Sequence, residues 1–415
     1  MKTVFKWNAV FLFYLYIVFI YFTGDSMKKM ILALAIFLSF GVFFIKGNAL
    51  EAPQEDVAVD TNTQTPDLCG GSTAAILLET STGKVLFQKE KDRRLPPASM
   101  TKIMTLLLIY EALENKQITK STMLVIGEEP TKVEGSKAFL SIGDEINVDE
   151  LLKCICIASA NDAAIAMAMH LAGSEEAFVE KMNAKVQELG LRNTHFSDCT
   201  GLSSRNHYTS AYDLAMISNH LIHHYPDVLN YTNLQEDYIR KDTAKPFWLV
   251  NTNKMIGRVK NLDGLKTGYT SFSKYCITLH MKQENMGLIT VVFGYDKPTT
   301  RNAESLELLR WGYANYKLDK VIEKGKVVDS IDHISYKSRI NVVVKDDIYF
   351  LSKRSDEHDY QIQYDYTLTP NSCSGTVKVY LNNQLIQEGQ LINQEEVRRK
   401  NFFEIMQSIF IKIIV

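Results

Sequence analysis

A chain of 415 residues, 46% hydrophobic and 23% charged, is long enough to bury one large core and a second small one. Its formal net charge of −2, with no Lys/Arg-rich stripe carrying interleaved aromatics, offers no field for a polyanion and speaks against nucleic acid as a partner. The six cysteines (Cys69, Cys154, Cys156, Cys199, Cys276 and Cys373) lack metal-ligand spacing, which speaks against a metal site and suits buried small side chains better than a disulfide framework.

The apolar run Ala9 to Phe22 is short for a spanning helix. Lys28 and Lys29 then precede the apolar stretch Met30 to Ile45 and Gly47-Asn48-Ala49, the charged start, apolar middle and small-x-small end of an export signal beginning at Met27. Were both runs to cross a membrane as a hairpin, Lys28 and Lys29 would lie outside, against the positive-inside tendency. Residues 1–26 are therefore read as an upstream extension and 27–49 as a signal peptide. Residues 50–68, polar with Pro53 and Pro66 and no apolar period, read as a linker.

The folded part begins at residue 69. Thr73 to Leu78 and Lys84 to Gln88 are strand-like around Ser81-Thr82-Gly83, a hairpin pattern. After Pro96-Pro97, Ile103, Leu106, Leu107, Tyr110 and Leu113 are spaced as the buried face of a helix from Ser99 to Glu114. Helical patterns recur at Val148 to Ala172, Glu175 to Leu189 and Ser210 to His223. Strand-like Tyr275 to Met281 and Met286 to Phe293 flank a turn at Gln283-Glu284-Asn285. Sheet, helices, then sheet predict an α+β domain over 69–318, helices against an antiparallel sheet. Residues 319–392 change to short alternating runs (Ile340 to Val344, Asp347 to Leu351, Tyr360 to Tyr366, Thr376 to Leu381), the pattern of a small all-β domain. Residues 393–415 place Phe402, Met406, Ile409, Phe410 and Ile413 at helical spacing with basic residues nearby, an amphipathic helix.

Three short motifs carry residues suited to acyl transfer. In Ser99-Met100-Thr101-Lys102, one helical face brings the Lys102 amine to the Ser99 hydroxyl, and a buried lysine held neutral can take the serine proton. Alone, an N-cap serine with a surface lysine describes it as well. Ser159-Ala160-Asn161 offers a second hydroxyl to relay a proton and a carboxamide to hold a substrate amide, though a helix cap or turn has the same composition. Lys266-Thr267-Gly268, in a strand pattern, supplies a cation and a hydroxyl for a carboxylate and a glycine against which a peptide can lie.

In this order the three motifs resemble those of the low-molecular-mass penicillin-binding proteins, specifically the D-alanyl-D-alanine carboxypeptidases among the penicillin-recognising serine enzymes. The flanks extend the resemblance: Leu95-Pro96-Pro97-Ala98 before Ser99, Asp162-Ala163-Ala164 after Asn161, Thr200-Gly201-Leu202, Thr209-Ser210-Ala211-Tyr212-Asp213, Asp263-Gly264-Leu265 before Lys266, and the helix from Arg301 to Tyr316. It covers residues 69 to 318, and more loosely the β-domain and terminal helix. Ser203 and Ser273-Lys274 depart from it, the latter placing a long cation beside the third motif.

The resemblance implies a transpeptidase/β-lactamase-like fold with the serine between helices and sheet, and a serine peptidase that removes the terminal D-alanine from peptidoglycan stem peptides through a Ser99 acyl-enzyme. Lys102 would be the base, and Ser159 would assist the leaving amine. Asn161, Lys266, Thr267 and Gly268 would hold substrate, and the backbone N–H groups of Ser99 and Tyr269 would form the oxyanion hole. No cofactor is implied, and penicillins would acylate the same serine. A serine β-lactamase would want a glutamate about 36 residues beyond Ser159 by analogy with one class, where His195 stands. A sensor that binds penicillin without turnover is the reading from another class. His207 and Glu180 are read as structural and solvated. Export followed by attachment of the terminal helix to the outer face of the membrane completes the expectation, its alternative being packing of that helix on the β-domain.

Overall fold

The computed structural model describes residues 68–202, 206–241, 243, 246–368 and 372–414; the upstream extension, the signal peptide and nearly all of the linker lie outside them. Strands β1 (Ala74–Glu79) and β2 (Val85–Lys89) form the expected hairpin. A short 3-10 turn, Ala98–Thr101, leads into α1 (Lys102–Glu114). Then come β3 (Met123–Val125), α2 (Glu128–Lys132), β4 (Glu145–Asn147), α3 (Val148–Cys156), α4 (Asn161–Ala172), α5 (Glu175–Glu188), α6 (Ala211–His224) and α7 (Val228–Thr232). The small hairpin β5 (Glu236–Ile239) and β6 (Phe247–Val250) precedes the long strands β7 (Leu262–Thr270), β8 (Lys274–Gln283) and β9 (Met286–Tyr295), and α8 (Pro298–Asn315) closes the region.

Two helical expectations change. The apolar period from Val148 to Ala172 runs across a break at residues 157–160, where Ser159 adopts φ +61° and turns the chain between α3 and α4. Asn147, Ser174 and Ser210 cap α3, α5 and α6 through their side-chain oxygens, as short polar residues do at helix starts. Helix α1 is not amphipathic in the structure. Every residue from Lys102 to Tyr110 is buried, because helices and sheet surround it.

The main sheet is antiparallel in the order β2-β1-β9-β8-β7. Alternate residues of β1 serve two cores: Ala74, Ile76 and Leu78 face α1 and its neighbours, while Ala75 and Leu77 face Leu308 and Leu309 of α8. With both faces covered, these strands read as continuous apolar runs. Strand β7 stands at the edge, paired only with β8, so its other edge borders the serine turn.

Beyond α8, β10 (Tyr316–Ile322) pairs with β13 (Ile348–Lys353). Strands β11 (Val327–Ile331), β12 (Ile340–Val344), β14 (Tyr360–Leu368), β15 (Cys373–Leu381) and β16 (Gln384–Asn393) make a second sheet in the order β11-β12-β16-β15-β14. Val342, Val344, Val377, Val379 and Leu391 fill its own core. Helix α9 (Phe402–Ile414) follows, with Phe402, Phe403, Met406 and Phe410 exposed. Among the described residues no helix is long and apolar enough to cross a membrane.

Candidate functional site

Ser99 lies in the 3-10 turn, where residues three apart eclipse, so Lys102 sits directly over it, its Nζ 3.2 Å from Ser99 Oγ. The lysine is fully buried, not a surface residue. Its Nζ also donates to Asn161 Oδ1 at 2.6 Å and to the Thr200 carbonyl at 2.8 Å. A neutral amine has two N–H bonds and one lone pair. Once Lys102 is deprotonated, Asn161 Oδ1 and the Thr200 carbonyl can take its two N–H bonds, which leaves the lone pair for the serine hydroxyl. Burial lowers the Lys102 pKa to about 8, partly offset by Cys199, Asp198 and Asp162.

Asn161, at the start of α4, is oriented by opposite partners. Its Oδ1 accepts a hydrogen bond from Lys102 Nζ while its Nδ2 donates to the Glu134 carbonyl at 2.6 Å. Its own N–H bonds the Ser136 carbonyl at 2.7 Å, and the neighbouring Asp162 accepts from the N–H groups of Ala138 and Leu140, fixing the 134–140 loop against the helix.

The third motif meets the first by close approach. A Cβ at Gly268 would lie 2.7 Å from the Pro97 carbonyl oxygen and 3.2 Å from Ala98 Cβ, so only glycine lets β7 lie against the serine turn. Thr267 Oγ1 donates to Thr252 Oγ1 at 2.8 Å, and the Thr252 N–H reaches the Ile157 carbonyl, joining the third motif to the crook that carries Ser159. Lys266 is 1% exposed, and its Nζ donates to the Thr267 carbonyl at 3.1 Å. Burial holds its pKa well below the ordinary lysine value, and the nearby charges of Lys102 and Arg301 add to this. Among the described residues neither Lys266 nor Arg301 donates to a carboxylate: Lys266 bonds the Thr267 carbonyl, and Arg301 the Cys276 carbonyl and Asn302 Oδ1.

The structure thus joins Ser99, Lys102 and Asn161 by hydrogen bonds and brings Gly268 and Thr267 to them by packing and one relay. Ser159 is buried in its left-handed turn, and Tyr269, 56% exposed near the end of β7, stacks its ring on Tyr275 at 4.3 Å between centroids. Lys274 turns its amine to Asp296 at 2.5 Å in solvent, which neutralises the cation that departs from the family pattern. Ser203 lies outside the described residues. His207 is structural: its Nδ1 accepts the Ser197 N–H at 3.0 Å, so Nε2 carries the proton and meets Thr101 Oγ1 at 2.8 Å, and Thr101 Oγ1 donates to the Ala98 carbonyl at 2.8 Å. Glu180 is exposed on α5. His195 bonds the Asn206 carbonyl through Nδ1.

Sequence reasoning missed Thr200, Asp198, Thr252 and Arg301 as site residues. Thr200 acts through its carbonyl, which no side-chain pattern reveals. Arg301, 5% exposed, donates to the Cys276 carbonyl at 3.1 Å, and burial brings its pKa down to about 10.

A family profile described as D-alanyl-D-alanine carboxypeptidase matches residues 60–297, and one described as penicillin-binding protein 5, C-terminal domain, matches residues 316–399. The chain is 37% identical over 353 residues to D-alanyl-D-alanine carboxypeptidase DacF of Bacillus subtilis, covering 83% of this chain and 90% of that protein. It is 32% identical over 343 residues to D-alanyl-D-alanine carboxypeptidase DacA of Escherichia coli, covering 79% and 84%. Penicillin-binding protein 5 from Haemophilus influenzae superposes with a TM-score of 0.66 at 28% identity, covering 81% of this chain and 99% of that one.

Proposed function

The chain belongs to the D-alanyl-D-alanine carboxypeptidase family and is a serine-type peptidase of that activity; on that premise we propose that Ser99 is its nucleophile and Lys102 its base. Ser99 Oγ attacks the carbonyl between the last two D-alanines of a peptidoglycan stem peptide while its proton passes to Lys102. The backbone N–H groups of Ser99 and Tyr269 receive the oxyanion, and Ser159 relays the proton held by Lys102, giving its own hydroxyl proton to the departing D-alanine nitrogen as Lys102 returns one to it. Asn161 holds the substrate amide, the free edge of β7 at Gly268 takes the peptide, and Lys266 with Thr267 binds the terminal carboxylate. Water then releases the acyl group. The observation that carries these roles is the arrangement of Lys102 Nζ between two fixed acceptors and the serine hydroxyl.

Penicillin would acylate Ser99, and mass mapping of the adduct tests the assignment: the label belongs on the peptide containing Ser99, and a label elsewhere refutes it. The same proposal divides the chain into an exported leader and linker, a catalytic part over 69–318 and a β part over 319–392. The enzyme would act outside the cytoplasm, with the helix at 393–415 lying on the outer face of the membrane. Supporting this, Phe402, Phe403, Met406 and Phe410 are at least half exposed rather than packed on the β part, and Ile409 is 37% exposed.

A further inference from the structure

We infer that Asp198 is a positioning residue for acyl transfer, fixing the Thr200–Gly201 turn so that the Thr200 carbonyl aims the Lys102 lone pair at Ser99. The inference rests on the reading of Lys102 as base. Asp198 Oδ1 accepts from the Thr200 N–H at 2.7 Å, from Thr200 Oγ1 at 3.0 Å and from the Gly201 N–H at 2.5 Å. These bonds orient the peptide unit between them, whose carbonyl lies 2.8 Å from Lys102 Nζ. They also hold Gly201 at φ +91° beneath the Ala98 carbonyl, so the same carboxylate ties the turn to the residue preceding the nucleophile. Asp198 is 9% exposed, and its Oδ2 lies 3.7 Å from Nδ1 of His207, whose ring braces Thr101 on the serine turn.

Without the turn, the Thr200 carbonyl swings away, one N–H of Lys102 is released, and the amine is free to rotate its lone pair off the serine. Asp198 also places a negative charge near a buried amine and so favours its protonated form. Geometry and charge can be separated, because the oxygen of an asparagine accepts the same bonds without the charge.

The test uses the full chain and three variants, Asp198→Ala, Asp198→Asn and Lys102→Ala, followed by the second-order rate of benzylpenicillin acylation from pH 5 to 10 and by the kcat and KM of D-alanine release. Asp198→Ala is expected to lose about ten- to a hundredfold in acylation and kcat, with KM within about twofold, as misplacement of a reacting group does. Asp198→Asn is expected to recover most of that loss with its pH midpoint displaced to lower pH. Asp198→Ala at the wild-type rate, or Asp198→Asn as slow as Asp198→Ala, overturns the inference. If Asp198→Ala does not fold, the Asp198→Asn profile decides, and an unmoved midpoint overturns it. Wild-type acylation by Lys102→Ala would instead sink the reading of Lys102 as base.

Discussion

A buried amine titrating near 8 works as a base only after it gives up its proton to solvent. Lys102 is therefore protonated below about pH 8 and neutral above it. Acylation by penicillin is expected to rise with pH and level off above about pH 8. A rate flat from pH 5 to 10 contradicts a lysine base. Sequence spacing made Ser99 and Lys102 legible as a pair, because i and i+3 share a face. It did not disclose that Lys102 is fully buried, nor the two acceptors that aim it. One of those, the Thr200 carbonyl, is backbone, and Asp198, which sets it, reads in sequence as an ordinary polar loop residue.

Between elements, the serine turn is held by close approaches that tolerate no side chain. A Cβ on Gly201 would collide with the Ala98 carbonyl oxygen, and the residue also sits at φ +91°. Gly201→Ala should therefore destabilise the protein by about 2–4 kcal/mol and cut penicillin acylation at the same time. Urea unfolding midpoints read beside acylation rates check this, and an unchanged midpoint with unchanged rate contradicts the packing. The crook at residues 157–160 was hidden for a related reason. Apolar residues keep their period across it, while the left-handed Ser159 and backbone bonds such as that from the Thr252 N–H to the Ile157 carbonyl mark the break. The short pairs β3–β4 and β5–β6, of three and four residues per strand, were also missed, since so few residues carry little period.

At the scale of the molecule, sheet, helices and returning sheet were legible because long strands and helices carry strong periods, and the β part announced itself by its alternation. The strands at residues 316–322, 327–331 and 384–393 were not, being interrupted by exposed charged and polar residues such as Lys320, Asp329 and Glu388. Helix α9 leaves Phe402, Phe403, Met406 and Phe410 in solvent. The full chain is expected to partition onto anionic vesicles, and the combined change Phe402→Ser, Phe403→Ser and Phe410→Ser should weaken that at least tenfold, each buried aromatic contributing about 1.5–3 kcal/mol. D-alanine release from a soluble peptide should be unaffected. Equal partitioning of both proteins contradicts the anchoring role.

The most direct test of the central claim is D-alanine release by the full chain from a diacyl-Lys-D-Ala-D-Ala tripeptide, beside Ser99→Ala. Steady release is expected from the unaltered protein and none from Ser99→Ala, whose fold and melting temperature should be nearly unchanged. Release that persists in Ser99→Ala would contradict the nucleophile.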